Sequence, residues 1–322
     1  MITPKKIQLA NIPTPLEEIK FAGKSFLIKR DDLTGCELSG NKIRKLEYLL
    51  ADAMRQKADI IFTSGGDQSN HARATVIAAR KIGLKTKLFL WGKDSSTPNG
   101  NFFLDKIYGA DVQFFSEKEY ENVNNIMFEQ RMELLKKGKN AYVFPGGGST
   151  TLGIWGYINF INELKDQVDL KKIDSIVAAA GSGGTAAGML VGAALNKLKV
   201  KIVAVHVLMS KKEMEKHILQ LAEGCILDYK LDCKIDPDNL VVISGYSKEG
   251  YKKISETKLK LLRKFALESG VLLDPAYTGK AFTAYYEKYI KSGKGKKNIF
   301  VHTGGLFAVF ARTKEYLNSV NL

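Results

Sequence analysis

The sequence predicts an α/β fold with open, mostly parallel twisted sheets flanked by helices, on three observations. Short β-branched runs alternate with longer helical patterns, glycine clusters follow several of the apolar runs, and 45% of the 322 residues are hydrophobic, enough to fill one large or two medium domains. In chain order, Ser25-Phe26-Leu27-Ile28 precedes a helical pattern at 42–56 and Asp59-Ile60-Ile61-Phe62 precedes one at 71–82. A run at 86–90 precedes a helix at 100–108, Ser175-Ile176-Val177-Ala178-Ala179 precedes one at 185–198, and a further strand is expected at 201–207. Parallel strands cannot be joined by a tight turn, so this alternation is what crossover helices require.

Composition narrows the class. No stretch reaches the roughly 18 apolar residues that a membrane-spanning helix needs, and Met1-Ile2-Thr3-Pro4-Lys5-Lys6 is not followed by an apolar signal-like run. A cytoplasmic location without membrane association is therefore expected. Cys36, Cys225 and Cys233 are odd in number and contain no CxxC pair, so neither a disulfide framework nor a metal site is expected. The net charge of +15 comes mostly from lysines scattered singly and in short pairs such as Lys171-Lys172 and Lys296-Lys297, with no finger, homeodomain or RNP-like pattern. Such a distribution reads as solvated surface, not as a nucleic-acid footprint.

Four glycine clusters follow apolar strands: Ser64-Gly65-Gly66, Gly146-Gly147-Gly148-Ser149, Gly181-Ser182-Gly183-Gly184-Thr185 and His302-Thr303-Gly304-Gly305, the last after the strand Asn298-Ile299-Phe300-Val301. At the carboxyl ends of strands in open α/β sheets, such loops let backbone N–H groups approach a ligand. Gly181-Ser182-Gly183-Gly184-Thr185 lies between an apolar strand and an Ala/Leu-rich helix, so its amides share the positive end of that helix and suit a phosphate; a ligand-free tight turn is the alternative. Gly181-x-Gly183-x-x-Ala186 also meets the loose dinucleotide fingerprint of a nicotinamide dehydrogenase. Yet the next strand, Ile202 to Leu208, ends without the acid that would hold a ribose, and no Walker Lys-Ser/Thr follows the glycines. A small monophosphate cofactor fits better than NAD or ATP.

Ser39-Gly40-Asn41-Lys42-Ile43-Arg44-Lys45-Leu46 opens a helix whose apolar residues Ile43, Leu46, Leu50 and Met54 fall at near-helical spacing, which puts Lys42 and Lys45 in its first turn. Cations there oppose the helix dipole, and the positive end of a helix should depress the pKa of a lysine, as a Schiff-base amine requires.

Together with Lys29-Arg30-Asp31-Asp32-Leu33, Gln68-Ser69-Asn70-His71-Ala72-Arg73, and Leu273-Asp274-Pro275-Ala276-Tyr277-Thr278-Gly279-Lys280-Ala281, these motifs run through nearly the whole chain. In that order the sequence resembles the fold-type II pyridoxal-phosphate enzymes of the tryptophan synthase β-subunit superfamily, within the branch of D-cysteine desulfhydrase and 1-aminocyclopropane-1-carboxylate (ACC) deaminase. The resemblance implies that Lys42 holds pyridoxal 5'-phosphate as a Schiff base and moves the substrate's α-proton. Lys45 with Gly181, Ser182, Gly183, Gly184 and Thr185 would hold the phosphate, Asn70 the 3'-oxygen and Thr303 the ring nitrogen. A hydroxyl at the ring nitrogen suits β-elimination over transamination.

The resemblance also implies two α/β domains, a large cofactor-binding one of residues 1–46 and 156–322 and a small one of residues 47–155, and a homodimer. Ser69, Asn70 and His71 begin the helix after the strand at 59–62, where the dipole favours a substrate carboxylate; Ser69 also suits an N-cap. Tyr277, after a strand-like run, and Tyr251, twenty-six positions earlier, match the family's two active-site tyrosines, with Tyr246 in a similar Gly-Tyr context; either could protonate a leaving group. Two positions separate the activities. ACC deaminases carry Glu where this chain has Thr278 and Gln where it has His71, so both substrate-binding positions follow the desulfhydrase pattern. The expected reaction is α,β-elimination on a small D-amino acid, D-cysteine giving pyruvate, sulfide and ammonia. ACC deamination, sulfo-lyase action on cysteate, turnover of D-serine or β-chloro-D-alanine, and a non-catalytic cofactor carrier are the alternatives. Asp67 stands where the family often has an apolar residue, and Trp91 and Trp155 have no assigned place.

Overall fold

The computed structural model describes residues 2–208, 210–250 and 253–318. The chain opens with a hairpin, β1 (Leu16–Phe21) and β2 (Lys24–Lys29), followed by α1 (Lys42–Arg55), β3 (Ile60–Gly66), α2 (Asn70–Lys81), β4 (Lys85–Trp91) and α3 (Gly100–Ile107). Next come β5 (Asp111–Phe115), the short α4 (Glu117–Tyr120), α5 (Val123–Lys136), β6 (Ala141–Val143), α6 (Trp155–Gln167), β7 (Ser175–Ala180) and α7 (Gly184–Leu195). The remainder runs β8 (Lys201–His206), α8 (Lys211–Asp228), β9 (Leu240–Ile243), α9 (Glu256–Ser269), α10 (Thr278–Tyr285), β10 (Asn298–Val301), α11 (Leu306–Phe310) and α12 (Thr313–Asn318).

The strands form two sheets. One is four-stranded and wholly parallel, in the order β5-β4-β3-β6. The other is six-stranded, in the order β1-β2-β10-β7-β8-β9, parallel throughout except for the β1–β2 hairpin. Central β7 shows why helices must cover both faces: all six of its residues are buried, Ile176 and Ala178 against α6 and α7, Val177 and Ala179 against α9 and α10.

Three expectations from the sequence need correction. Ser64-Gly65-Gly66 is not a loop, because these residues continue the β3–β4 register opposite Phe89, Leu90 and Trp91. The strand-like run before Tyr277 forms no strand: Val271 and Leu273 are buried beneath α9 and α10, and among the described residues no strand pairs with them. Met54, placed on the apolar face of α1, is exposed at 48%, because the buried stripe runs through Leu46, Leu49, Leu50 and Ala53 and Met54 falls at its edge.

A buried charge cluster fixes α1 against the large sheet. The Arg44 guanidinium donates to both Asp31 oxygens and both Glu163 oxygens at 2.8–3.0 Å. Lys29 Nζ donates to Glu163 and to the Thr14 carbonyl, each at 2.5 Å, and Tyr157 donates to Asp31 at 2.5 Å. Two cations against two anions leave no uncompensated charge, and the fork geometry of Arg44 sets the rotation of the helix that begins at Lys42.

Candidate active site

The carboxyl ends of both sheets open onto one cavity of about 300 Å³, into which the N-termini of α1, α2 and α7 also point. Residues from all four glycine clusters line it. Three helix N-termini around one space make a strongly anion-attracting pocket, and among the described residues no Asp or Glu lines it.

The start of α1 is stitched to two distant segments. Asn41 N–H donates to the Thr303 carbonyl at 3.0 Å, and Asn41 Nδ2 donates to Thr185 Oγ1 at 3.0 Å. The backbones of Gly40 and Gly304 touch: both have positive φ (99° and 93°), and a Cβ on Gly304 would lie 2.7 Å from the Gly40 Cα. Lys42, placed by this junction, has its pKa lowered to about 8, because burial penalises the ammonium form. Desolvation is thus the cause that dominates, where the sequence pointed to the helix dipole.

Lys45, one turn later, is 1% exposed and is held well below the usual lysine range, first by burial and then by the charge of Lys42. Among the described residues its ammonium donates to two neutral oxygens, the Gly147 carbonyl at 3.2 Å and Ser149 Oγ at 3.1 Å. Ser149 in turn shares a 2.8 Å hydrogen bond with Ser182 of the Gly181–Thr185 loop. A buried lysine and a half-buried one, with no carboxylate partner among the described residues, call for an anionic ligand. The backbone is shaped for one, since a Cβ on Gly184 would lie 2.6 Å from Lys45 Nζ and overlap Ser149 Oγ. A phosphate monoester fits this cradle.

At the start of α2, Ser69 is an N-cap whose oxygen accepts from Ala72 N–H at 3.1 Å, which leaves its own O–H to donate toward the cavity it lines. Capping and ligand binding are thus compatible in one residue. His71 also lines the cavity, but its Nε2 meets Thr63 Oγ1 at 2.9 Å while that hydroxyl donates to the Phe144 carbonyl at 3.0 Å. The hydroxyl has one proton to give, so His71 must be the donor and holds its proton on Nε2. Burial, Lys42 and Lys45 push its pKa well below the usual range, so the ring is neutral. Anion binding here falls to the first-turn N–H groups and Ser69.

Thr303 and Tyr277 line the cavity opposite α2. His302 fixes the Thr303 loop, its Nδ1 accepting from Gly304 N–H at 3.2 Å while Nε2 donates to the Leu272 carbonyl at 3.0 Å. Thr278 departs from expectation: it is fully buried, does not line the cavity, and its hydroxyl donates to buried Asp274. Asp274 also accepts from the N–H groups of Ala276, Tyr277 and Thr278, which turns the chain there and draws the Thr278 side chain inward. Tyr246 lies away from the cavity and donates to Glu287 at 2.6 Å; Tyr251 lies outside the described residues. Asp67 lines an adjoining recess, and Trp155 is a core residue.

Trp91, Tyr120 and Ser64 also line the cavity, and Ser149 stands behind it against Lys45; the sequence names Ser64 and Ser149 only as members of glycine clusters and gives Trp91 and Tyr120 no place. Ser149 closes the Gly146–Gly148 cluster that the sequence singles out, and Trp91 could have been found as the residue that follows the strand predicted at 86–90. Tyr120, on a four-residue helix, carries no such signal.

The chain matches the family model described as pyridoxal-phosphate dependent enzyme over residues 7–304. It is 39% identical over 313 residues to a Thermotoga maritima protein named as a candidate ACC deaminase, covering 96% of this chain and 99% of that one. It is 36% identical to the mitochondrial bifunctional D-cysteine desulfhydrase/ACC deaminase of Arabidopsis thaliana, covering 95% of this chain and 80% of that one. A crystal structure described as that of an ACC deaminase homologue superposes with a TM-score of 0.88 at 35% identity, covering 98% and 96% of the two chains.

Proposed function

Because the chain belongs to the pyridoxal-phosphate-dependent enzymes, in the family of ACC deaminase and D-cysteine desulfhydrase, we propose that it is a carbon–sulfur lyase acting on D-cysteine. The balanced reaction is D-cysteine and water to pyruvate, hydrogen sulfide and ammonia. Bound pyridoxal 5'-phosphate supplies the electron sink that makes the α-proton removable and is the group that suits the phosphate cradle.

The residues then divide the work. Lys42, half-buried and with its amine eased toward the neutral form, attaches the cofactor and later takes the α-proton on Nζ. Lys45, Ser149, Ser182 and the N–H groups at the start of α7 hold the phosphate, Asn70 faces the 3'-oxygen, and Thr303 offers its hydroxyl to the ring nitrogen. Ser69 and the first-turn amides of α2 take the substrate carboxylate, and Tyr277 gives a proton to the departing sulfur.

What carries the choice of D-cysteine is the acid-free lining of the cavity. An ACC molecule has no α-hydrogen, so its opening must begin at a ring methylene and needs a further acid–base group there. The position after Tyr277, where ACC deaminases have Glu, is Thr278, and its hydroxyl is spent on Asp274. The test is product release by the purified yellow enzyme: sulfide and pyruvate from D-cysteine, much less from L-cysteine, and no 2-oxobutanoate from ACC. Ammonia and 2-oxobutanoate from ACC without sulfide from D-cysteine would reverse the assignment.

A further inference from the structure

Asn70 faces the cavity with an amide whose two ends differ in chemistry, and a chain of groups behind it settles which end faces in. Asn101, in the first turn of α3, is 0% exposed and has its side-chain oxygen and both of its side-chain N–H donors engaged. Its Oδ1 accepts from Arg73 Nε at 2.9 Å, and its Nδ2 donates to the Gln68 carbonyl at 3.0 Å and to Asn70 Oδ1 at 2.9 Å. Arg73 can only donate and a backbone carbonyl can only accept, so the orientation of the Asn101 amide is fixed from both ends. That orientation presents N–H to Asn70, which must answer with its carbonyl oxygen. The Asn70 NH₂ is left for the cavity.

The donor at the far end is itself held. Arg73 is 1% exposed, and its guanidinium donates to the Ser39 carbonyl at 2.8 Å and to the Glu37 carbonyl and lies 4.9 Å from the Phe307 ring centre. It therefore ties α2 to the segment that leads into Lys42. The Gln68 side chain closes the arrangement by accepting from Asn101 N–H at 2.9 Å.

We infer that Asn101 is a positioning residue that, oriented by Arg73, turns the Asn70 amide so that it offers a hydrogen-bond donor to the 3'-oxygen of the cofactor. This rests on the proposed placement of that oxygen at Asn70. A donor there favours the ionised oxygen and so the yellow form of the bound cofactor; a carbonyl there repels it.

Asn101→Asp keeps the acceptor for Arg73 but replaces the NH₂ with a second acceptor, so the Asn70 amide must reverse. The holoenzyme should lose yellow absorbance in favour of a near-ultraviolet band and release cofactor about tenfold faster. Asn101→Ala, which leaves the Asn70 amide free to turn, should show a smaller shift of the same sign and covers the event that a buried carboxylate at this position impairs folding. In an Asn70→Ala background, neither substitution should move the spectrum further, because the residue acts through Asn70. An unchanged spectrum in both Asn101 variants while Asn70→Ala changes it overturns the inference and leaves the cofactor placement standing. So does an equal shift in both backgrounds, which marks a merely structural role. An unchanged spectrum in Asn70→Ala removes the placement and the inference together.

Discussion

Replacing Gly184 by alanine should separate cofactor binding from folding. Gly184 begins α7 and has no positive φ, so a methyl group strains no backbone, and alanine in place of glycine in a helix favours the fold by up to about 1 kcal/mol. The methyl group enters the cradle, however, 2.6 Å from Lys45 Nζ and overlapping Ser149 Oγ. Lys45 can swing its ammonium aside at little cost to the fold, but only by leaving the place where a phosphate oxygen would meet it. A hydrogen bond to a charged group contributes roughly 1.5–3 kcal/mol, so loss of Lys45 and Ser149 costs at least about 3 kcal/mol, or roughly 150-fold in Kd. Titration of the apoprotein with pyridoxal 5'-phosphate, followed by absorbance, measures the affinity, and thermal unfolding of the apoprotein measures the fold. Weakened affinity with an unchanged or higher Tm is expected; an unaltered Kd would refute the cradle.

The lowered Lys42 pKa predicts that covalent capture of the cofactor by apoprotein rises through about pH 8 and then levels off; a rate still climbing past the usual lysine value of 10.5 would contradict it. The sign for stability follows, because between about 8 and 10.5 the unfolded chain binds the Lys42 proton and the folded one does not, so this residue's contribution makes the apoprotein more stable as pH rises across that window. Arg44→Met leaves Asp31 and Glu163 buried with too few cations and should cost about 3–5 kcal/mol, read as a lower denaturant midpoint; a loss under about 1 kcal/mol would show the cluster to be dispensable. Thr278→Val should destabilise the fold by about 1–3 kcal/mol, because the Asp274 N–H loses its acceptor and the Asp274 carboxylate one of its donors, while KM for D-cysteine stays within roughly twofold. A large rise in KM at unchanged Tm would restore Thr278 to the cavity wall.

The parts of this molecule legible in the sequence are those where one local pattern does one job. The apolar spacing that follows Lys42 and Lys45 puts them in a first helical turn, and residue type puts Ser69 at a helix start; all three stand there in the structure. Thr278 is not legible in that way, because its side-chain direction is decided by Asp274, whose burial is a tertiary fact. Strands β1 and β9 carry mixed or short patterns on sheet edges, where half-exposed residues blur the alternation. The polarity of Asn70 cannot be read from the sequence at all, since it depends on Arg73 and Asn101, three and thirty-one positions away.

The last strand has a consequence for how the molecule is made. β10 lies between β2 and β7, paired in parallel with both, so two strands synthesised far earlier become neighbours of the same late arrival. Until residues 298–301 leave the ribosome, β2 and β7 each present an unpaired edge, and the Asn41–Thr303 bond beside Lys42 cannot form. Nascent chains stalled before residue 298 should therefore depend on chaperones and bind no cofactor, however complete their first 297 residues are.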